Sequence, residues 1–408
     1  MNSKFTSLWI LLFSLLLLSC TQKTSEQSES SPVPGTFGYD VAFMQSHKDV
    51  LILGRKASPA KVLIVGDYEA RVMTSTAGGH AGNSYGWINY DLIQSGNIKP
   101  HMNPYGGEDR FWLGPEGGQF ALYFKRGDPF DFDHWQTPPM IDTEPFDLVS
   151  ADSLQAHFKK SAVIENYCGT KFQIDIQREI QLLETEEIEK EFDITVGNQR
   201  AVSFRSTNSI TNAGPEWNKK SGLLSIWILG MFTPSNNAMI ILPHRKPKID
   251  AAVTDNYFGT IPGDRIINTD SLLLLKADGK FRGKVGIAPA IAENMVGSYD
   301  PDKHVLTLVK FDLAGSEAYV NSKWETQREP YHGDAVNAYN DGPQADGSQL
   351  GPFYELESSS PAAELKPGEK LTHRHTTLHL ERDEDELNRV AERVLGVKLL
   401  DLKQLFIH

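Results

Sequence analysis

Apolar and polar residues alternate in Phe172-Gln-Ile-Asp-Ile-Gln-Arg-Glu-Ile180. Successive side chains of a β-strand point to opposite faces, so this alternation predicts a strand with one buried and one solvated face. A helix would instead need apolar residues three and four positions apart. Residues 172–180 therefore predict a half-buried strand.

Short apolar runs bounded by Gly, Pro and Ser continue on both sides of this stretch. They cover residues 49–54, 61–65, 120–124, 188–196, 223–231, 238–242, 284–288 and 305–311. Few stretches between residues 40 and 380 show sustained helical periodicity. Closely spaced strands with turn residues between them predict an all-β fold, and we expect one large antiparallel sandwich over residues 37–382.

The C-terminal segment has a different pattern. Asp383-Glu-Asp-Glu386 places acidic groups where they favour a helix N-terminus, and Leu387, Val390, Ala391 and Val394 follow at helical spacing. Residues 383–408 therefore predict a helical cap on the sandwich.

The first 19 residues resemble a targeting segment. Lys4 precedes an apolar run from Trp9 to Leu18, which is too short for a membrane span of about 20 residues. Leu17-Leu18-Ser19-Cys20 resembles a bacterial lipoprotein cleavage site, which implies that Cys20 is lipidated; a plain cleaved signal peptide is the alternative. Residues 20–36 are Ser-rich and polar and predict a disordered tether. Thr21 after Cys20, in place of Asp, favours the outer membrane of the cell envelope.

The composition excludes some classes of partner. The net charge is −13, from 53 acidic and 40 basic residues, and no clustered basic surface suited to nucleic acid is evident. Cys20 and Cys168 are the two cysteines. If Cys20 carries lipid, Cys168 has no partner, so we expect no disulfide and no Cys-based metal site.

A candidate site begins at Tyr105-Gly-Gly-Glu-Asp-Arg-Phe-Trp-Leu-Gly-Pro-Glu-Gly-Gly118. Glycine permits sharp turns and close backbone approach, and here it surrounds three carboxylates, an arginine and a tryptophan. Such groups suit a polyhydroxylated ligand, because charged groups bind hydroxyls and an indole ring covers C–H surfaces. A turn-rich connection with core aromatics is the alternative.

Two later segments carry further polar groups. Residues 329–343 hold His332, Asp334 and Asn337 beside two tyrosines, which favours a loop facing a ligand over an ordinary turn. In residues 351–361, a strand would place Glu355 and Glu357 on one face, suited to acid/base chemistry. A solvated face of a sheet is the alternative for this pair.

Three histidines, His373, His375 and His379, would share one face of a strand. A His-x-His pair can bind metal, but no third ligand is predictable. Hydrogen-bonded histidines beside the sheet are the favoured interpretation, and we predict neither a metal nor a cofactor.

Segments 353–361, 365–369 and 372–380 resemble the C-terminal end of the aldose (galactose) mutarotase-like superfamily. There a strand with the catalytic glutamate precedes a Pro, a Pro-Gly-Glu turn and a last Thr-rich strand. Residues 62–79 resemble the opening hairpin of such domains, and residues 106–116 resemble a Gly-Gly, Trp, Pro-Glu motif of uncharacterised exported bacterial branches. The resemblance covers most of residues 40–380 and implies a β-supersandwich with a sugar-binding cleft.

The resemblance also implies roles for particular residues. The base would be Glu355 or Glu357, which takes the anomeric proton, and the acid would be His332 or His101, which protonates the ring oxygen. Hydroxyls and the sugar face would be held by Glu108, Arg110, Trp112, Glu116, Asp334 and Asn337. We expect the glycine motif, residues 331–341 and the Glu355/Glu357 face to meet in one cleft. A non-catalytic glycan-binding lipoprotein and a structural envelope protein are the alternatives.

Overall fold

The computed structural model describes residues 32–197, 200–246, 253–315, 318–344, 346–381 and 383–402. The predicted signal peptide, Cys20 and most of the predicted tether lie outside the described residues. So do residues 403–408 of the predicted helical cap.

Strands dominate the described part of the chain. In chain order they are β1 Val50–Leu53, β2 Lys61–Val65, β3 Arg71–Thr76, β4 Arg110–Gly114, β5 Asp147–Ala151, β6 Gln155–Glu165, β7 Lys171–Leu182, β8 Arg200–Asn212, β9 Ser225–Phe232, β10 Met239–Pro243, β11 Val253–Thr254, β12 Ile266–Asn268, β13 Leu272–Lys276, β14 Gly283–Ile287, β15 Met295–Asp300, β16 Val305–Phe311, β17 Val336–Asn340, β18 Tyr354–Ser359 and β19 Lys370–Glu381.

These strands form three sheets, in which every ladder between named strands is antiparallel. A ten-stranded sheet has the order β12-β13-β10-β15-β16-β19-β8-β7-β6-β5, and a six-stranded sheet has the order β11-β14-β17-β18-β9-β4. Strands β1, β2 and β3 form a third sheet. The predicted all-β class and the large antiparallel sandwich are confirmed.

The alternation that predicted a strand at residues 172–180 is found in β7. Phe172, Ile174, Ile176, Arg178 and Ile180 are buried, and the residues that alternate with them are exposed or half-buried. Arg178 shares the buried face because its charge is satisfied there. It pairs with a carboxylate oxygen of Asp109 and donates to Asn208 Oδ1 over 2.6 Å.

The two large sheets pack apolar side chains against each other. Leu356, Ala338 and Val285 of the six-stranded sheet lie in one cluster with Ile240 and Val309 of the ten-stranded sheet. Because strand side chains alternate, the neighbouring residues of β14, β17 and β18 point to the opposite face of the six-stranded sheet. That second face holds the candidate site.

Helices occupy the ends and connections. They are α1 Phe37–Gln45, α2 Tyr90–Ser95, α3 Thr185–Phe192, α4 Glu384–Leu395 and α5 Leu399–Leu402, with a 3₁₀ turn at Pro139–Ile141. None of the helices in the described ranges is long and apolar enough to cross a bilayer.

Two predicted strands are wrong. The run at residues 188–196 begins inside α3, where Glu184 and Glu187 form a capping box and Ile188 and Phe192 are buried one helical turn apart. The run at residues 120–124 does not join a sheet, because it folds back on the glycine motif: Leu122 N donates to the Pro115 carbonyl over 3.0 Å. Both runs are apolar because they are buried in the tertiary structure. Burial makes helices and turns as apolar as strands, so an apolar run alone does not identify a strand.

The predicted C-terminal helix is confirmed in α4. Asp383 caps it by accepting from Glu386 N over 3.0 Å, and Gly396 ends it with φ +68°. Leu387, Ala391 and Leu395 are buried against apolar residues of the ten-stranded sheet. The helix covers the face of that sheet that does not meet the six-stranded one.

Candidate ligand-binding cleft

The second face of the six-stranded sheet forms the floor of a cleft of about 520 Å³, counting space open to solvent. The floor residues are Arg110 and Trp112 of β4, Trp227 and Leu229 of β9, Glu355 of β18, Tyr339 of β17 and Lys284 of β14. The walls are Met102, Glu116, Phe132, Trp135, Phe258, Arg282, Trp324, Leu350 and Phe353.

Strand register places the floor side chains together. Tyr339 lies opposite Glu355 in the β17–β18 ladder and opposite Lys284 in the β14–β17 ladder. Arg110 lies opposite Leu229, and Leu229 lies opposite Glu357. The glycine motif, residues 331–341 and the Glu355 strand therefore contribute to one cleft.

The glycines of the motif allow close packing of neighbouring segments. A Cβ at Gly106, which has φ +100°, would lie 1.9 Å from the Trp87 carbonyl oxygen. A Cβ at Gly117 would lie 2.3 Å from the Lys323 carbonyl oxygen. Glycine at position 117 thus lets the segment that carries Trp324 pack directly on the motif.

Arg110 and Glu355 form an ion pair on the floor. The Arg110 guanidinium donates to Glu355 Oε1, and the two side chains are 2% and 8% exposed. The guanidinium carbon also lies 4.8 Å from the centre of the Trp112 ring. Both residues are therefore held in place before any ligand arrives.

Burial sets the protonation of Glu355. It raises the pKa of this carboxyl to about 8, against the downward pull of Arg110 and with a further upward push from Glu357. A carboxyl with a pKa near the working pH can both accept and release a proton. The floor thus contains a group suited to proton transfer.

Glu357 forms a second ion pair beneath the floor. Its Oε2 accepts from Lys284 Nζ over 3.1 Å and from Trp227 Nε1 over 2.9 Å. Burial lowers the pKa of Lys284, but the carboxylates of Glu357, Glu116 and Glu355 outweigh that effect and raise it above its usual value. Lys284 is therefore a fixed positive charge beside Glu355.

Glu116 links the cleft to a neighbouring cavity of about 770 Å³, again counting space open to solvent. The two spaces share Glu116, Phe258, Lys284 and Trp324 as lining residues. Burial raises the pKa of Glu116. The open space of the cleft therefore continues past Trp324.

Aromatic rings form most of the remaining surface. Trp135 and Trp324 stack with centroids 5.7 Å apart, and Trp112 meets Trp227 edge to face at 5.5 Å. Within the described residues, Trp112 Nε1 and Trp135 Nε1 are buried without a hydrogen-bond partner. These rings offer flat apolar surfaces together with unsatisfied donors.

The structure places Glu108 away from the cleft. It is fully buried, at the point where the glycine motif lies beside β3. An isolated antiparallel bridge between Val72 of β3 and Asp109 joins the two segments there. Its Oε2 accepts from Ser75 Oγ and contacts His379 Nε2, each over 2.9 Å. Glu108 joins strands and is not positioned for a ligand.

The two histidines predicted as acids do not line the cleft. His332 lies in a surface turn with its side chain 77% exposed, because the strand that enters the cleft starts only at Val336. His101 contacts two wall residues: its Nδ1 lies 2.7 Å from the Trp135 carbonyl oxygen, and its ring lies 4.9 Å from that of Phe132. Since a carbonyl only accepts, His101 Nδ1 carries the proton.

Asp334 and Asn337 lie beside the second cavity. Asp334 Oδ2 accepts from Tyr257 OH over 2.5 Å, and Asn337 Nδ2 lies 3.4 Å from the same hydroxyl. Burial raises the pKa of Asp334 to about 6. Both residues orient Tyr257, which lines that cavity.

The predicted hydrogen-bonded histidines are found in β19, between the two large sheets. His373 Nε2 and His375 Nδ1 each lie 2.8 Å from Ser358 Oγ, and His379 Nδ1 lies 2.9 Å from Thr307 Oγ1. Across the described ranges, no group of three His, Cys, Asp or Glu residues is arranged to hold a metal ion.

Several cleft residues were not predicted as site residues. Trp227 and Lys284 fall in predicted strands, and Tyr339 falls in the predicted ligand-facing loop, which is β17. In the sequence, the alternation of these residues with apolar neighbours was the signal that could have placed them on one face of the sheet. Trp135 and Trp324 lie in irregular segments, where the sequence gives no such signal.

Three solved structures illustrate what the chain resembles. The Slr1438 protein from Synechocystis sp. PCC 6803 has a TM-score of 0.51 and 12% identity, over 82% of this chain and 96% of its own. A putative aldose 1-epimerase from Escherichia coli K12 has a TM-score of 0.48 and 11% identity, over 81% of this chain and 98% of its own. A galactose mutarotase-like protein from Lactobacillus casei ATCC 334 has a TM-score of 0.47 and 10% identity, over 82% of this chain and 100% of its own. At these identities the likeness concerns the fold alone.

The family comparison covers nearly the whole chain. Curated proteins give no match. Residues 35–406 match a family described as being of unknown function, DUF6786, and this range includes every cleft residue. The chain therefore belongs to the family of unknown function DUF6786.

Proposed function

We propose that the protein binds a carbohydrate in the cleft on the six-stranded sheet. Two kinds of surface support this. Aromatic rings such as Trp112, Trp135 and Trp324 can cover the C–H faces of a sugar ring. Arg110, Lys284 and Glu355 on the floor can bind hydroxyls as donors and acceptors.

The observation that carries the proposal is the position of Glu355. It lies on the floor of an aromatic cleft, held by Arg110 and flanked across β17 by Lys284. Two strand spacings put the backbones of Glu355 and Lys284 about 10 Å apart, with Tyr339 of the intervening strand between them.

We further propose proton transfer at an anomeric centre as the reaction. Glu355 in its carboxylate form takes the proton of the anomeric hydroxyl, the bond from that carbon to the ring oxygen breaks, and the ring oxygen gains a proton. Among the described residues, those lining the cleft include no histidine, so we propose that this proton comes from water. Lys284, whose pKa is raised, keeps its own proton and donates a hydrogen bond that stabilises the negative charge developing on the ring oxygen.

A non-catalytic glycan-binding protein is the second candidate. The same lack of a lining histidine favours it, as does the ion pair that engages Glu355. Polarimetry separates the candidates: a catalyst accelerates interconversion of the anomers of a bound sugar, and a binder does not.

The test starts with a thermal-shift screen against mono- and oligosaccharides, because a ligand that binds the folded state raises the apparent stability. Sugars that shift the melting temperature are then followed by polarimetry with the wild type, Glu355→Gln and Glu329→Gln. Loss of acceleration in Glu355→Gln, but not in Glu329→Gln at the surface, supports catalysis. The absence of a shift with every sugar contradicts carbohydrate binding.

We also propose that the protein is an exported lipoprotein of the outer membrane, anchored through Cys20. The apolar run before Cys20 and Thr21 after it support this. Mass spectrometry of the mature N-terminus should find an acylated Cys20, and Cys20→Ser should release the protein from the membrane fraction. An unmodified N-terminus at another position would contradict the anchor.

A further inference from the structure

The cleft presents more unsatisfied donors than acceptors. Within the described residues, four N–H groups of cleft residues are buried without a hydrogen-bond partner: Arg110 Nε, Arg282 Nε, Trp112 Nε1 and Trp135 Nε1. A buried donor without a partner costs about 1–3 kcal/mol of free energy. A ligand acceptor that reached such a donor would remove this cost. A ligand that complements the cleft should therefore be rich in acceptors.

Arg282 differs from the other two cations of the cleft. Arg110 pairs with Glu355, and Lys284 pairs with Glu357. Among the described residues, Arg282 has no carboxylate within ion-pair distance, and its NH1 donates instead to the neutral amide oxygen of Gln344 over 3.2 Å. Arg282 therefore has no ion-pair partner of its own among these residues, although its charge pulls down the pKa of the nearby Glu116 and Asp341 carboxyls against the effect of their burial.

Arg282 is also held in a fixed orientation. Its guanidinium carbon lies 4.0 Å from the centre of the Phe258 ring, which is stacking distance for a cation–π contact. Phe258 and Arg282 both line the cleft. A planar guanidinium fixed in this way matches a planar carboxylate, which can accept two parallel hydrogen bonds from it.

Resting on the proposed carbohydrate function, we propose that the ligand is an acidic sugar whose ring carries a carboxylate, a uronic acid, and that Arg282 binds this carboxylate. A single ligand carboxylate would give this guanidinium the direct ion-pair partner that it lacks among the described residues. A phosphorylated sugar would bring close to two charges and would leave one of them unmatched.

Isothermal titration tests the proposal with glucuronate, galacturonate, glucose, galactose and glucose 6-phosphate. The uronates should bind about tenfold or more tightly than the neutral sugars, the range expected for hydrogen bonds to a charged group. Arg282→Met should lower uronate affinity to about that of the neutral sugars, and Arg282→Lys should restore part of it.

Arg265→Met is the matched control, because Arg265 also packs on a phenylalanine, Phe281, at 5.4 Å, but does not line the cleft. It should leave uronate affinity unchanged. Equal binding of uronates and neutral sugars overturns the carboxylate assignment and leaves carbohydrate binding intact. Tighter binding of glucose 6-phosphate also overturns it. If no sugar binds the wild type, both proposals fail.

Discussion

Arg110 and Glu355 form a buried ion pair across β9, although 245 positions separate them in the chain. Arg110 belongs to β4 and Glu355 to β18, and β9 pairs with both strands. The pair therefore fixes the floor of the cleft from two distant parts of the sequence.

The Glu355 carboxyl should make stability depend on pH. Its pKa in the folded protein is about 8, above the ordinary value of 4.5, so the folded state binds this proton more tightly than the unfolded state. The resulting stability is present below about pH 4.5 and is lost as the pH rises through about 8. Between pH 5 and 9, the wild type should thus lose free energy of unfolding relative to Glu355→Gln, as measured by urea denaturation. A difference that stays constant over this range, as expected for Glu329→Gln, would contradict the assignment.

Removing Lys284 should be strongly destabilising. Lys284→Met leaves the fully buried Glu357 carboxylate without its counter-charge, and such a loss typically costs about 3–5 kcal/mol. The double variant Lys284→Met/Glu357→Gln should be less destabilised than the sum of the two single variants by more than about 1 kcal/mol. Additive free energies in this cycle, measured by urea denaturation, would show that the two groups do not interact.

Trp324 should contribute to ligand binding more than to folding. It is half-buried in an irregular segment and lies where the cleft meets the second cavity. Trp324→Ala should weaken sugar binding about tenfold, equivalent to about 1.4 kcal/mol, through loss of a ring surface. The matched comparison is Trp217→Ala, since Trp217 is buried against Phe172 outside the cleft. That change should lower the melting temperature instead. Unchanged calorimetric affinity in Trp324→Ala would argue against a ligand at this wall.

The local parts of this architecture could be predicted from the sequence. Side chains of a strand alternate between its two faces, and this period of two is visible within a few residues. The β7 strand and the shared face of Glu355 and Glu357 could therefore be predicted from alternation alone. The α4 helix followed from its acidic start and its apolar spacing. These features depend on neighbours in the chain, which the sequence displays directly.

The non-local parts could not be predicted. Nothing near Arg110 indicates that Glu355 lies two strands away, because strand order is set by packing of the whole sheet. His332 has suitable chemistry but ends in an exposed turn, four residues before β17 enters the cleft. The α1 helix has little apolar periodicity, and it is held by the Thr36 cap and by burial of Phe37 and Met44.

Two buried histidines should make the protein sensitive to acid. Burial lowers the pKa of His373 to about 3 and of His375 to about 4, and for His373 the neighbouring His375 adds to the effect. Both are neutral in the folded protein, so their contribution is present above about pH 6.5 and is lost as the pH falls towards the folded values. The double variant His373→Gln/His375→Gln should show a shallower loss of unfolding free energy between pH 7 and 5. An identical slope in wild type and variant would contradict neutral, buried histidines.

The most direct test of carbohydrate binding is a crystal structure of the protein soaked with the sugar that gives the largest thermal shift. We expect a sugar ring in the cleft, stacked on a tryptophan, with an oxygen about 3 Å from a Glu355 carboxyl oxygen. A sugar bound on another surface, with the Glu355 cleft empty, would contradict it.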